Sequence, residues 1–320
     1  MPKLNMVQAI NLALKEEMER DKDVVVLGED VGRDGGVFRV TEGLLDRFGQ
    51  DRVIDTPLAE SVIIGSAIGM AAYGLKPVAE IQFGGFIYPA MNQISNHAAR
   101  LRSRSRGRYT CPLVIRTPYG AGIRSPEHHS ESNEALFCHM PGLKVVMPSS
   151  PYYAKGLLLS SIRDPNPVIF LESTRLYRLI KEDVPEGEYT VPLEKARIVQ
   201  EGKDVTVISW GFMLHRSLQA VEGFDAEVLD LMTLNPFDEE TIYKSVKKTG
   251  RLVIVSEAPK TGGLASELSA SIAEDVMLFL KAPIARVTSY DVVLPLPKLE
   301  DYYMPTVERI RKALTDTMKY

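Results

Sequence analysis

The sequence predicts an α/β protein of two domains, each built round a parallel β-sheet. Apolar runs of four or five residues alternate with segments of helical period along the 320-residue chain, which is typical of parallel sheets with crossover helices. Several of these runs end at glycine or at a polar loop, as buried parallel strands do. The alternation breaks once, at the charged, proline-containing segment 181–192. We therefore expect domains over residues 1–190 and 191–320.

The first domain opens with a helix over Asn5–Met18, in which Asn5 and Gln8 have the spacing of a capping box. A helix of small residues begins near Glu60, and Ser150-Pro151 starts another that runs to Ile162. A further helix is expected at 88–101. The predicted strands, in chain order, are Val24–Leu27, Arg52–Ile54, Val78–Gln82, Leu113–Arg116, Lys144–Met147 and Val168–Leu171.

The second domain repeats the alternation. Its predicted strands are Val205–Ser209, Glu227–Leu231, Leu252–Val255 and Ala285–Val287. Its predicted helices are Leu214–Val221, Asp238–Lys247, Leu264–Glu274 and Pro305–Met318. We expect right-handed crossovers in both domains, because parallel neighbours can be joined in few other ways.

Composition excludes several classes of protein. The net charge of −4 gives no reason to expect a nucleic-acid or membrane partner, and the apolar run Val62–Leu75 is short for a bilayer span. Two cysteines without a CxxC motif suit a reducing compartment. The basic run Arg100–Arg108 lacks interleaved aromatic residues, so a solvated face or a subunit contact is expected. A first helix directly after Met1 favours a prokaryotic cytoplasm.

Two features allow both a structural and a chemical interpretation. Glu60 lies where a strand gives way to a helix, and a carboxylate in the first turn is explained by the helix dipole alone. Strand ends are also where α/β enzymes carry their chemistry. The loop 117–133 is long and rich in glycine and proline, which favours a functional role for His128 and His129. Acid–base chemistry, a metal site shared with Cys138 and His139, or plain solvent exposure remain open for these histidines.

Eight segments, colinear along nearly the whole chain, carry a family resemblance. They are LGEDVGRDGGVFRVTEGL (Leu27–Leu44), RVIDTPLAE (Arg52–Glu60), GLKPVAEIQF (Gly74–Phe83), HHSES (His128–Ser132), PGLKVVMPSSPYYAKGLL (Pro141–Leu158), NPVIFLE (Asn166–Glu172), TGRLVIVSEAP (Thr249–Pro259) and APIARV (Ala282–Val287). The chain resembles the beta subunit of the thiamine-diphosphate-dependent 2-oxo acid dehydrogenase component of pyruvate and branched-chain complexes. That implies an N-terminal pyrimidine-binding domain and a C-terminal transketolase-like domain.

The resemblance also implies roles for individual residues. Glu60 matches the glutamate that hydrogen-bonds N1′ of the cofactor's aminopyrimidine, and Phe86, often tyrosine in relatives, matches the aromatic residue packed on that ring. His129 matches a histidine that moves a proton when the acyl group passes to lipoamide. The remaining cofactor-binding positions that it implies are Leu58, Gln82 and Glu29.

The family's magnesium–diphosphate signature, Gly-Asp-Gly followed by Asn-Asn, is missing from this chain. The resemblance therefore implies half an active site. An alpha subunit is expected to supply the diphosphate and Mg2+ half in an α2β2 heterotetramer, which passes its acyl group to a lipoyl-bearing acyltransferase. By similarity to some relatives, a K+ site is expected at Leu113, Ser161, Ile162, Asp164 and Asn166.

Three other functions compete with this expectation. The chain is alternatively a non-catalytic scaffold that docks the acyltransferase. A transketolase-like enzyme shares both domains but carries the diphosphate half on the same chain, for which 320 residues leave no room. A metal hydrolase built on His128 and His139 is the remaining alternative. The sequence does not distinguish pyruvate from branched-chain 2-oxo acids.

Overall fold

The computed structural model describes all residues, Met1–Tyr320, and confirms the predicted α/β class. In the first part of the chain, the strands are β1 (Lys3–Leu4), β2 (Val24–Gly28), β3 (Val53–Asp55), β4 (Lys76–Glu80), β5 (Val114–Tyr119), β6 (Lys144–Val146), β7 (Val168–Ser173) and β8 (Glu182–Asp183). The α-helices there are α1 (Met6–Arg20), α2 (Leu44–Phe48), α3 (Glu60–Ala72), α4 (Leu101–Arg104), α5 (Glu134–Cys138), α6 (Pro151–Arg163) and α7 (Leu176–Leu179).

The second part of the chain repeats this arrangement. Its strands are β9 (Arg197–Gln200), β10 (Val205–Ser209), β11 (Ala226–Asp230), β12 (Thr233–Asn235), β13 (Leu252–Pro259) and β14 (Ala285–Ser289). Its α-helices are α8 (Phe212–Ala220), α9 (Glu239–Thr249), α10 (Leu264–Val276), α11 (Glu300–Tyr303) and α12 (Val307–Thr317). None of the helices combines the length and apolar character needed to cross a bilayer.

Two large sheets organise the fold. The first has seven strands in the order β12-β6-β7-β5-β4-β2-β3, and the second has five in the order β14-β13-β10-β11-β9. All pairs inside them are parallel except β12 with β6 and β11 with β9, which are antiparallel. The prediction of parallel sheets is thus confirmed, with one antiparallel strand added at an edge of each. Strands β9 and β12 were not predicted from the sequence.

Strand β12 joins the two parts of the molecule, because it belongs to the second part in sequence and to the first sheet in space. Thr233 pairs with Val146 of β6, and the Asn235 side chain donates a hydrogen bond to the Leu143 carbonyl at 2.8 Å. The two hydrophobic cores each draw residues from both parts. The predicted boundary at residues 190 and 191 stays a prediction, but the two parts of the chain share both cores.

Helix α1 shows how the sequence pattern becomes packing. The predicted capping box forms, with Asn5 accepting from the Gln8 N–H while Gln8 accepts from the Asn5 N–H. The apolar stripe that includes Ile10, Leu14 and Met18 is fully buried against the neighbouring layer, where α6 is the main partner. Truncating one such leucine to alanine costs about 2–5 kcal/mol, so this stripe fixes the helix on the sheet.

The segment that connects the two sheets is held by a buried cation. Lys155 of α6 is fully buried, and its ammonium donates to the carbonyls of Pro185 and Gly187 at 2.6 and 3.0 Å. The same ammonium pairs with Glu16 of α1 at 2.7 Å. Because a buried charge is costly unless it is fully partnered, these contacts tie the connecting segment firmly to the first domain.

The helix expected at residues 88–101 forms only in pieces. A 3₁₀ segment covers Gly84–Ala90, a π-helical segment covers Gln93–Ala98, and α4 follows. Pro89 lies inside the first piece, where it has no N–H to donate and its ring disfavours a regular α-helical turn. Wide π-turns accompany functional sites in many helices, and this one follows directly on the candidate site.

Candidate functional site

The candidate site lies where strands β2, β3 and β4 end. These strands are parallel neighbours, with Gly28 opposite Asp55 on one side and Glu80 on the other. Their carboxyl ends therefore meet at one edge of the sheet. The chain leaves this edge through Glu29, through the turn before Glu60, and through Gln82, which is where ligands bind in open α/β sheets.

Glu60 is the first residue of α3 and is only 9% exposed. It has no hydrogen-bond or ion-pair partner within the chain. Buried polar groups are nearly always hydrogen-bonded, and a carboxylate without a partner loses the hydration that stabilises it. Glu60 therefore has free hydrogen-bonding capacity, which a ligand with a ring nitrogen can use.

Glu29 places a second carboxyl group close to Glu60. Burial raises the pKa of Glu29, and the negative charges of Glu60 and Asp30 raise it further. The nearby negative charge therefore disfavours the ionised form of Glu29. The Gln82 side chain donates a hydrogen bond to the Asp30 carboxylate at 3.0 Å and lies 3.5 Å from the Glu29 carbonyl oxygen. Gln82 thus connects the segment after β4 to the loop after β2 at the carboxyl ends of these strands.

A cluster of three rings, those of Phe83, Phe86 and His129, lies at the same edge of the sheet. The rings of Phe83 and Phe86 lie 5.4 Å apart, and His129 contacts both, with ring centroids at 4.3 Å from Phe83 and 5.1 Å from Phe86. The loop approaches closely because residue 85 is glycine: a Cβ there would lie 2.2 Å from the carbonyl oxygen of His128. The sequence separates Phe86 and His129 by more than forty residues, and the fold brings them into contact.

His129 carries a free nitrogen at the edge of this aromatic group. Its Nδ1 is buried and has no hydrogen-bond partner. Burial lowers the pKa of His129 and neighbouring His128 lowers it further, while Glu127 opposes the shift. The ring is therefore held toward its neutral form, in which it can accept a proton. The alternative metal site with Cys138 and His139 has no support, because no cluster of three metal-binding side chains exists in the chain.

Leu58 differs from the other predicted cofactor-binding residues. Its side chain is 79% exposed and points away from the interior, and that of Val62 on the following helix is 62% exposed. Apolar surface of this extent on an element that leads into a site is typical of a face covered by another chain. Leu58 therefore lines no enclosed pocket within this chain.

The residues of the predicted K+ site lie near the amino ends of β5 and β7 and the end of α6. Asp164 follows α6 and accepts hydrogen bonds from the Asn166 N–H at 2.8 Å and side chain at 3.1 Å. Its other carboxylate oxygen lies 2.7 Å from the ammonium of Lys144. The Leu113 carbonyl accepts the N–H of Val168 in the sheet. A fixed cation therefore already accompanies Asp164, and the K+ site stays a prediction.

The sequence analysis missed a buried ion cluster, which we define as Glu80, Arg116, Glu172 and Tyr177. Arg116 donates to both oxygens of Glu172 at 2.6 and 2.9 Å and to Glu80 at 2.7 Å, and the Tyr177 hydroxyl donates to Glu172 at 2.7 Å. Burial raises the pKa of Glu80, aided by Glu172 and opposed by Arg116. The available sequence signal was a charged residue near the end of each apolar strand run.

The comparisons with known proteins agree with this arrangement. A family model described as the transketolase pyrimidine binding domain matches residues 2–180, and one described as the transketolase C-terminal domain matches residues 194–310. In structure, the chain superimposes on a "Split gene transketolase, inactive beta4 tetramer" with a TM-score of 0.81, 22% identity and 99% coverage of both chains. At that identity the structural match supports the fold.

Two curated relatives cover nearly the full chain. The pyruvate dehydrogenase E1 component subunit beta of Acholeplasma laidlawii is 51% identical over 96% of this chain and 95% of its own. The 2-oxoisovalerate dehydrogenase subunit beta of Bacillus subtilis is 48% identical over 99% of both chains. The two names denote dehydrogenases of different 2-oxo acids, and the identities differ by only a few per cent.

Proposed function

We propose the function of this chain from one premise: it belongs to the family of beta subunits of thiamine-diphosphate-dependent 2-oxo acid dehydrogenases. It is accordingly a component of a lipoamide-acylating, decarboxylating dehydrogenase. Its work is to hold the pyrimidine half of thiamine diphosphate and to move protons during decarboxylation of a 2-oxo acid and transfer of the acyl group to lipoamide. The observation that carries this proposal is Glu60, buried at the strand ends without a partner.

The residues of the site fit the cofactor. When bound, thiamine diphosphate supplies the nucleophilic carbon and the electron sink for decarboxylation. In the proposal Glu60 holds a proton at pyrimidine N1′ and Phe86 packs on the ring, while Gln82 and Glu29 shape the wall beside it. His129, whose pKa is lowered by burial, accepts or returns a proton during acyl transfer, which is general acid–base chemistry.

The proposal includes partner chains. The diphosphate and Mg2+ half comes from an alpha subunit, and the exposed Leu58 and Val62 support a second chain at this edge. We propose an α2β2 heterotetramer that passes its acyl group to a lipoyl-bearing acyltransferase, with K+ as a further ion near Asp164. The bacterial relatives support a cytoplasmic location. Both pyruvate and branched-chain 2-oxo acids stay open as substrates.

Reconstitution tests the proposal. The chain is co-expressed with its alpha subunit, supplied with thiamine diphosphate and Mg2+, and offered pyruvate and 3-methyl-2-oxobutanoate in parallel. We expect decarboxylation only when both subunits and the cofactor are present, and the preferred acid then identifies the complex. A correctly assembled, cofactor-loaded tetramer that turns over neither acid would contradict the proposal and favour the scaffold alternative.

A matched pair of variants tests the role of Glu60. Glu60→Gln replaces the carboxyl group by an amide, which cannot exchange a proton with N1′ of the pyrimidine. We therefore expect the rate of decarboxylation to fall by about 10²–10⁴-fold. Glu239→Gln is the control, because Glu239 is likewise the first residue of its helix, α9. Removing either charge weakens the helix-dipole interaction by at most about 1 kcal/mol. Equal activity of the two variants would show that Glu60 only stabilises its helix.

A further inference from the structure

The loop that carries His129 is held from the second domain. We call residues 120–133, between β5 and α5, the His129 loop. At its start, the Ala121 N–H donates a hydrogen bond to Oε1 of Glu257 at 2.6 Å. Glu257 lies on β13 of the second sheet and is 2% exposed. This contact joins residues 136 positions apart in the sequence.

The backbone presses directly against this carboxyl group. Gly120 adopts a φ of +80°, and a Cβ at that position would lie 2.4 Å from Oε1 of Glu257. Only glycine tolerates both the left-handed conformation and this close approach. The hydroxyl of Thr174 donates to the Gly120 carbonyl at 3.1 Å from the other side. The start of the loop is therefore held between Thr174, which follows β7, and Glu257 of β13. We call the hydrogen bond from Ala121 to Glu257 the clamp.

The clamp extends along the loop to His129. The Gly120 N–H donates to the Glu131 carbonyl at 2.9 Å, which ties the start of the loop to its end. The Asn133 side chain donates to the Gly84 carbonyl at 3.1 Å, and the His128 carbonyl lies against Gly85. The loop thus has one fixed end on Glu257 and another on the aromatic segment beside Glu60.

The charges round Glu257 come from both domains. Arg175 and Arg216 favour its ionised form, and both guanidinium groups stack on the Phe212 ring, at 4.9 and 5.0 Å. Glu134 disfavours it, and the Tyr119 hydroxyl donates to Glu134 at 2.7 Å. The Tyr303 side chain also faces this group.

The ionisation of Glu257 falls in the physiological range. Burial raises the pKa of Glu257 to about 7, while the Ala121 N–H and Arg175 oppose the shift. A carboxylate is a stronger acceptor for an N–H than a neutral carboxylic acid, so the clamp is tighter when Glu257 is ionised.

We propose that Glu257 is a positioning residue, through which the second domain holds the His129 loop against the site. Glu257 does not touch the reacting atoms, and it acts through Ala121 and the loop. The inference rests on the proposed function for the consequence in catalysis, but the clamp itself does not. The loop therefore links acyl transfer to the second domain, which also holds it further along, where the Arg124 N–H donates to Glu300 at 3.1 Å.

Limited proteolysis tests the clamp without reference to activity. Arg124 is an exposed trypsin site within the His129 loop, and cleavage after it is followed by mass spectrometry in the full-length chain, alone and assembled with its alpha subunit. Loss of a charge-assisted hydrogen bond in Glu257→Ala should accelerate this cleavage about tenfold, and Glu257→Gln, which keeps an oxygen acceptor, should accelerate it only about twofold. Glu227→Ala is the control, since Glu227 is an equally buried strand carboxylate of the same sheet, paired with Lys248.

Kinetics then separate positioning from general stability. In the assembled enzyme, Glu257→Ala should slow acyl transfer to lipoamide about tenfold and leave the KM for thiamine diphosphate unchanged. In Glu257→Gln, most of the rate should return and the transition near pH 7 in acyl transfer should disappear. Equal cleavage after Arg124 in Glu257→Ala and Glu227→Ala would overturn the clamp. If Glu257→Ala is cleaved faster than Glu227→Ala while the wild-type assembly never turns over a 2-oxo acid, the proposed function is overturned and the clamp stands.

Discussion

Two groups of polar side chains lie at the same end of the first sheet and differ in how fully their hydrogen-bonding capacity is used. In the buried ion cluster, Arg116 is shared between Glu80 and Glu172 through three hydrogen bonds, and the Tyr177 hydroxyl donates to a Glu172 oxygen that also accepts from Arg116. At the carboxyl ends of β2, β3 and β4, by contrast, Glu60 has no partner and neither does Nδ1 of His129. The ion cluster is closed to solvent, whereas Glu60 and the half-buried His129 lie where a ligand can reach them from solvent.

The difference in hydrogen-bond partners separates side chains that stabilise the fold from side chains that are available for chemistry. A buried charge with all its partners stabilises one arrangement of strands, and its removal damages the fold. A buried polar group without partners costs free energy in the isolated chain and is retained where a ligand or substrate supplies the missing bond. We therefore expect substitutions in the cluster to act on stability and substitutions at the edge to act on chemistry.

Arg116→Met should have the largest effect on stability. It leaves Glu80 and Glu172 buried without a cation, which costs about 3–5 kcal/mol in the free energy of unfolding, measured by urea titration. The control is Arg20→Met: Glu17 keeps its second arginine, Arg163, at 2.6 Å, so the loss should be below about 1 kcal/mol. A loss of similar size in both variants would show that the cluster is no more structural than the partly exposed Arg20–Glu17 pair.

His129→Asn tests the other side of the comparison. Because Nδ1 has no partner to lose, the free energy of unfolding should stay within about 0.5 kcal/mol of the wild type. Acyl transfer to lipoamide should fall about 10²-fold, since a proton carrier has been removed. His128→Asn, at the adjacent and more exposed position, is the control and should lose less than about threefold. A destabilised His129→Asn variant with normal acyl transfer would assign the residue to structure instead.

The pH dependence of stability gives the smallest effect and concerns Glu257, which is buried but has both attractive and repulsive neighbours. Its pKa is raised from an ordinary 4.5 to about 7, so the folded state binds the proton more tightly than the unfolded state does. The stabilisation from this group is fully present below pH 4.5 and is lost as the pH rises through 7. Glu257→Gln cannot titrate.

We therefore expect the wild type to lose stability relative to Glu257→Gln by about 1–3 kcal/mol between about pH 5 and about pH 8. Urea titrations of both proteins across this range measure the difference. A constant difference would mean that Glu257 keeps one charge state throughout, and the pH dependence expected of the clamp would then be absent.

Much of the local structure followed from the sequence because its causes are local. Asn5 and Gln8 form the capping box that their spacing predicts, and Pro151 starts α6 as its fixed φ angle favours. The apolar runs became strands of the two sheets within one or two residues of their predicted ends, apart from two. Leu113–Arg116 extends to Tyr119, and Leu252–Val255 extends to Pro259. The helix at 88–101 was less regular than predicted, since the pattern of apolar residues does not distinguish α, 3₁₀ and π turns.

The sequence named candidate site residues, whose roles stay predictions, and it did not give their geometry. The strand-end position of Glu60 and the length of the loop holding His129 are readable along the chain. That Glu60 has no partner, that His129 contacts Phe86, and that Leu58 points outward depend on how distant segments pack. Each of these facts required the positions of atoms far apart in sequence.

The sequence by itself determined the fold class, the family resemblance and the residue types at the site, because periodicity, turn chemistry and motif spacing are properties of neighbouring residues. The tertiary structure alone decided that β12 completes the first sheet, that Arg116 joins two acids across three strands, and that Glu257 reaches Ala121 from the second domain. These are pairings between residues tens of positions apart or more, and such pairings are set by the packing of whole elements. No local pattern encodes them, which is why the partners of each charge became known only in the folded chain.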